Sequence, residues 1–142
     1  MAIADTVKQD LVSAMKAGEK DRVGALRLVL SELQKAEKAG DGDELAVLRR
    51  ERKRRQEAAK AFSDAGRPEL ATAEEAEAEL IAAYLPAELS DEELRAIVTA
   101  AVAESGATSP KDMGAVMKAA MPKIAGRADG KRVSALVQES LA

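Results

Sequence analysis

Apolar positions recur along this chain at steps of three and four from one end to the other, the period of an amphipathic helix. Ile3, Val7, Leu11 and Met15 fall one turn apart, and Gly18 follows as a stop. A second helix is expected over about residues 21–39, its apolar face carrying Val23, Leu26, Val29, Leu30 and Leu33. The "AGDGDE" stretch at 39–44 then breaks the chain, and a third helix is expected from 43 to 65. Gly66 ends that helix, and Pro68 suits the first turn of a fourth. The fourth reaches Leu85, where Pro86 stops it.

The firmest internal boundary lies in "YLPAELSDEEL", residues 84–94. Ser90 followed by Glu93 has the form of a capping box opening a fifth helix, with Leu94, Ile97, Val98, Ala101 and Val102 inward. Ser109 and Pro110 restart the chain as cap and first helical residue. Met113, Val116, Met117, Ala120 and Met121 form the next apolar face, which Pro122 is expected to end. Gly114 inside that helix predicts a close approach by a neighbouring helix, since glycine there costs about 1 kcal/mol relative to alanine. A seventh helix should start at Asp129, with Val133, Leu136, Val137 and Leu141 inward. No strand pattern and no fixed-length repeat occurs. The expected fold is all-α: an N-terminal bundle of about four helices over 1–88, and a C-terminal three-helix tail over 89–142.

Composition narrows the chemistry. The 142 residues include no cysteine and no histidine, which removes thiolates, disulfides and the commonest general base and metal ligand. No phosphate-cradling GxxxxGK[ST] loop is present. We therefore expect no catalytic residue, no metal and no cofactor. The first residues lack the basic-then-apolar order of a signal peptide, and no apolar run approaches the roughly 20 residues that span a bilayer. The expectation is a cytoplasmic protein without a membrane partner. The net charge of −3 argues against a surface that binds nucleic acid all over, but allows a local basic patch.

Two stretches concentrate positive charge. "LRRERKRRQEAAK", 48–60, holds seven basic and two acidic residues. On the helical wheel Arg52 and Arg55 fall on a face that is apolar at both ends, so their heads should reach carboxylates. The acidic run "TAEEAEAEL", 72–80, supplies them, and an ion-pair lattice is expected between the third and fourth helices. Arg49, Arg50, Lys53 and Arg54 lean toward solvent. In the tail, residues 109–142 hold six basic and three acidic residues. Pro122 and Gly126 punctuate a loop, and Lys123, Arg127, Lys131 and Arg132 crowd the following helix start, where free N–H groups suit a phosphate. Cations there oppose the helix dipole, which points to an anionic partner, while Asp129 competes as the cap.

Three stretches together resemble the GatB/YqeY family, specifically its stand-alone YqeY-like proteins. They are "AFSDAGRPELATAEEAEAELIAAYLPAELSDEEL" (61–94), "MGAVMKAAMPKIAGRADGKRVSALVQE" (113–139) and "RLVLSELQKAEKAG" (27–40). The resemblance implies a tail similar to that of the B subunit of the glutamine-dependent tRNA amidotransferase, which contacts tRNA. The matching positions are Gly114, Val116, Met117, Lys118, Gly126, Ala128, Asp129, Lys131 and Val133. Lys118, Lys123, Arg127, Lys131 and Arg132 then become the expected RNA-contacting set, with Gly114, Gly126, Asp129, Gly130, Arg52 and Arg55 as structural residues. The ligase and ammonia-releasing machinery of that enzyme has no counterpart here. A label of carbon–nitrogen ligase activity with glutamine as amido-N-donor fits by inheritance only. The expected function is a non-catalytic, tRNA-associated helical protein. Its rival is an adaptor docking on a tRNA-charging or amidotransferase enzyme through Met113, Met117 and Met121.

Overall fold

A computed structural model describes residues 2–142. Among them are seven α-helices and no strand: α1 Ile3–Ala17, α2 Lys20–Lys38, α3 Glu44–Asp64, α4 Pro68–Ala82, α5 Asp91–Ser105, α6 Met113–Ile124 and α7 Gly130–Leu141. The fold is all-α. Contacts divide the chain into two compact units, Met1–Pro86 and Ala87–Ala142.

In the first unit, Val7, Leu26, Val29, Leu33, Val47, Leu48 and Ile81 form one buried cluster drawn from all four helices. α1 ends on Gly18, whose φ of 72° closes the helix in a left-handed turn. Its other end is held from a distance: Glu44 accepts hydrogen bonds from the Ile3 and Ala4 amides at 2.9 and 2.8 Å. Those amides have no partner within α1, so a carboxylate on the first turn of α3 satisfies them. Asp43 caps α3 by accepting from the Ala46 amide at 3.1 Å. α3 and α4 form a helical hairpin through a turn at Gly66, φ 73°. The small buried side chains Ala59, Ala71 and Ala78 accompany this pairing.

Arg55 joins the two arms of the hairpin. Its guanidinium lies 3.3 Å from Glu77, 3.6 Å from Glu51 and 3.9 Å from Glu74. Glu51 is only 6% exposed and also receives Arg54 at 3.1 Å. Arg52, half-buried on α3, is not free either. The solvent-leaning cations are largely absorbed: Arg50 pairs with Asp41 at 3.0 Å, and Arg49 is also engaged. Hydrogen bonding from Arg50 holds the exposed Asp41 carboxyl below its ordinary value, helped by the Asp43 amide.

Helix limits depart from the sequence pattern in instructive places. α4 stops at Ala82, four residues before Pro86, which has no N–H to donate to the Ala82 carbonyl. Residues 83–85 tighten instead, with Tyr84 and Leu85 amides donating to the Ile81 and Ala82 carbonyls. Met15 is 52% exposed, and Ala14 takes the inward position one residue earlier.

The second unit closes around Leu94, Val98, Val116, Ala120, Ile124, Val133 and Val137. The Ser109 restart becomes a short 3₁₀ turn, Pro110–Asp112, before α6 begins at Met113. Asp112 accepts from the Thr108 and Ser109 amides at 2.9 and 3.3 Å. Pro122 does not end α6, which runs on to Ile124. Proline removes one N–H near the end of the helix, while burial of Ile124 holds the last turn in place. Gly114 is not a close-approach glycine: a Cβ built there meets nothing within 4 Å.

Two stability measurements follow. Replacing Arg55 by methionine keeps much of the apolar stem but strands Glu74 and Glu77, and should lower unfolding free energy by about 2 kcal/mol in denaturant titrations. Gly114→Ala should raise it by up to about 1 kcal/mol, since the site is helical and open.

Candidate nucleic-acid interface

The tail's basic residues separate into two groups once their partners are seen. The chain leading into α5 is extended, with Leu89 buried and Ser90 at the cap. Its polar backbone needs partners, and the loop before α7 supplies them. The Leu89 amide donates to the Arg127 carbonyl at 2.8 Å. Arg127 returns a hydrogen bond from Nε to the Ala87 carbonyl at 3.0 Å. Arg132 donates to the Leu89 carbonyl at 2.8 Å and reaches Asp91 at 2.6 Å. The dipole argument had assigned these cations to an outside anion. The structure gives both arginines acceptors about forty positions away in sequence, inside the chain.

The loop that brings them there turns on consecutive left-handed residues, Ala125 at φ 50° and Gly126 at φ 75°. An alanine in that region carries strain that the buried side chains on either side, Ile124 and Ala128, hold in place. Asp129 sits at the cap of α7 and accepts from the Lys131 amide at 3.2 Å. Gly130 opens the helix with free space around its α-carbon.

The lysines are arranged differently. Lys123 meets Glu104 of α5 at 2.8 Å, both side chains being exposed. Lys118 and Lys131 are exposed and have no side-chain hydrogen bond or ion pair among the described residues. Lys111, beside the 3₁₀ turn and passed over in the sequence, is exposed in the same way. Gly114 and Lys118 lie one turn apart on the outer face of α6. Of the methionines, Met113 and Met117 pack against the core, and only Met121, 40% exposed, stands out. Two of the three methionines expected to dock an adaptor are therefore half-buried.

Acidic residues gather at the opposite end of this unit's sequence. Glu88, Asp91, Glu92 and Glu93 surround the start of α5, where the helix dipole favours them. Ser90 and Glu93 complete a reciprocal capping box, at 3.2 Å and 3.1 Å. The Ser90 amide, then its hydroxyl, lowers the Glu93 carboxyl below its ordinary value, with nearby Arg127 adding to the effect. Among the described residues, no group of three or more acidic side chains is placed to hold a metal ion. None of the described helices is long and apolar enough to cross a membrane.

Fold and site together define a small all-helical protein whose last three helices close their own core and turn lysines outward. A family model described as Yqey-like protein matches residues 4–141. The chain belongs to the YqeY-like family. No curated protein matches it.

Arg132→Ala removes a charged donor from the carbonyl of a buried residue and should destabilise the chain by about 1.5–3 kcal/mol. Asp91→Ala, which deletes the 84% exposed partner of the same arginine, should cost well under 1 kcal/mol in the same thermal unfolding assay. Glu93 titrates lower folded than unfolded, so its contribution is complete above the ordinary value of 4.5 and is lost as pH falls through the folded value. Glu93→Gln should accordingly flatten the decline of melting temperature with acidification below that point.

Proposed function

We propose that this protein associates with tRNA without catalysing a reaction on it, and that residues 87–142 are its RNA-facing domain. The observation that carries the reading is the outward, unpaired state of Lys118 and Lys131 in a tail of the YqeY-like family. Lys123 adds to the set by exchanging its exposed Glu104 for a phosphate, an exchange of nearly equal partners in water. Arg127 and Arg132 serve the surface indirectly, by building the loop and the segment on which it rests. The similarity of this family to the amidotransferase B-subunit tail points to the same partner.

Backbone charge rather than base identity should set the affinity. The only aromatic residues of the chain are Phe62 and Tyr84, both before residue 87, so the tail has no platform for base stacking. Its positive excess is local: residues 109–142 hold six basic and three acidic residues, while the acidic start of α5 repels phosphate. A duplex or folded RNA would thus be oriented with its backbone along the lysines and away from α5. The ligase label stays an inheritance of the family name.

Equilibrium binding of tRNA over a salt series tests this in the full chain. Each of Lys118→Gln and Lys131→Gln should lower the log–log salt slope by about one unit and weaken all tRNAs alike. If Lys118, Lys123 and Lys131 are all changed to glutamate and affinity is unmoved, the tail is not the RNA site. Partners that survive RNase treatment of a native lysate would then favour the adaptor.

A further inference from the structure

A cleft of about 830 Å³ opens between α2 and α4 in the first unit. Two features on its α2 wall have no explanation within the chain. Gly24 lies in the second turn of a 19-residue helix, yet a Cβ there would meet nothing within 4 Å. Leu28, one turn further on, leaves 49% of its surface in water. A glycine inside a helix and a half-exposed leucine each weaken an isolated bundle. The opposite wall is low, with Ala73, Ala76 and Ala83 lining it.

We propose that this cleft is a self-association surface, occupied by α2 of a second copy of the chain. The surface carries both a knob, Leu28, and a hole, the space over Gly24, about 6 Å apart along the helix axis. A two-fold axis passing between them seats each Leu28 over the partner copy's Gly24, the reciprocal relation of an isologous contact. An unrelated helix could fill the hole but would leave the knob without a socket.

Charge runs along the cleft in the sense such an axis requires. Lys20 and Arg22 stand at one end, Arg22 lying 3.5 Å from Glu19 of the same chain. Leu28 lies by Glu77 at the other, with Arg55 beneath. Rotation by half a turn sets the basic end of one copy opposite the acidic end of the next. Glu79, on the same wall, has no ion pair among the described residues. Asp21, the Arg22–Glu19 pair and the Arg55–Glu77 pair temper this attraction, so burial of Leu28 supplies most of the contact and charge only biases its direction.

Sedimentation velocity of the full chain across a dilution series tests the proposal. A concentration-dependent monomer–dimer equilibrium is expected. Gly24→Gln fills the hole from a position open in the protomer and replaces glycine by a better helix former. It should raise the dimer dissociation constant by about 100-fold without lowering the melting temperature of the monomer. Leu28→Gln, which removes the knob from a solvent-facing position, should do the same. Lys20→Glu should weaken the dimer most at low salt. A chain that stays monomeric to about 1 mM, or a dimer indifferent to both Gly24→Gln and Leu28→Gln, overturns the proposal.

Discussion

The second unit depends on how the backbone of residues 87–89 is satisfied. This extended stretch runs beside a core of small aliphatic side chains and has no neighbouring strand to accept its hydrogen bonds. Arg127 and Arg132 supply the donors, and the Arg127 carbonyl takes the Leu89 amide. The extended chain, the capping box of α5 and the start of α7 are thereby tied into one hydrogen-bonded assembly. Arginine suits the task because its planar head spreads donors over two acceptors at once, as Arg132 does with Leu89 and Asp91. Lysine, with one compact head, is left for the solvent side.

The same economy governs the first unit, where one guanidinium serves three carboxylates. Arg55 faces Glu51, Glu74 and Glu77, so the α3–α4 pairing is specified by charge in the middle of a largely alanine contact. Alanine faces pack closely but discriminate poorly between registers. A charge network centred on one arginine adds a register preference that the small side chains do not, although one Glu74 carboxylate oxygen is buried without a hydrogen bond. Glu44 adds a second long-range constraint by capping α1 from α3.

Local rules were legible in the sequence because each is written within four residues. The capping box at Ser90 and the glycine stops at Gly18 and Gly66 could be read directly, and so could the all-helical period. What could not be read depends on partners far along the chain. Glu51 pairs locally with Arg54 and Arg55, but Arg55 finds Glu74 and Glu77 only on α4. Arg127 and Arg132 look like free cations until the stretch near Ala87, some forty residues earlier, is laid beside them. Pro122 reads as a terminator, yet Ile124 is drawn inward and carries the helix past it. Gly114 and Gly24 were opaque for the opposite reason, since no atom of the chain gives either a purpose.

The hairpin of α3 and α4 also bears on how the chain reaches this fold. Its two helices are joined by a turn of three residues and hold most of their partners in each other, as α1 does in α2 and α5 in α6. Contacts between sequence neighbours close small loops, and small loops form with little loss of chain entropy. Helical topologies of this kind lie at the fast end of folding, in microseconds to milliseconds. During synthesis, each pair has its partner in hand soon after it leaves the ribosome. Nascent apolar faces are then covered early, and the time for which they can meet another chain is short.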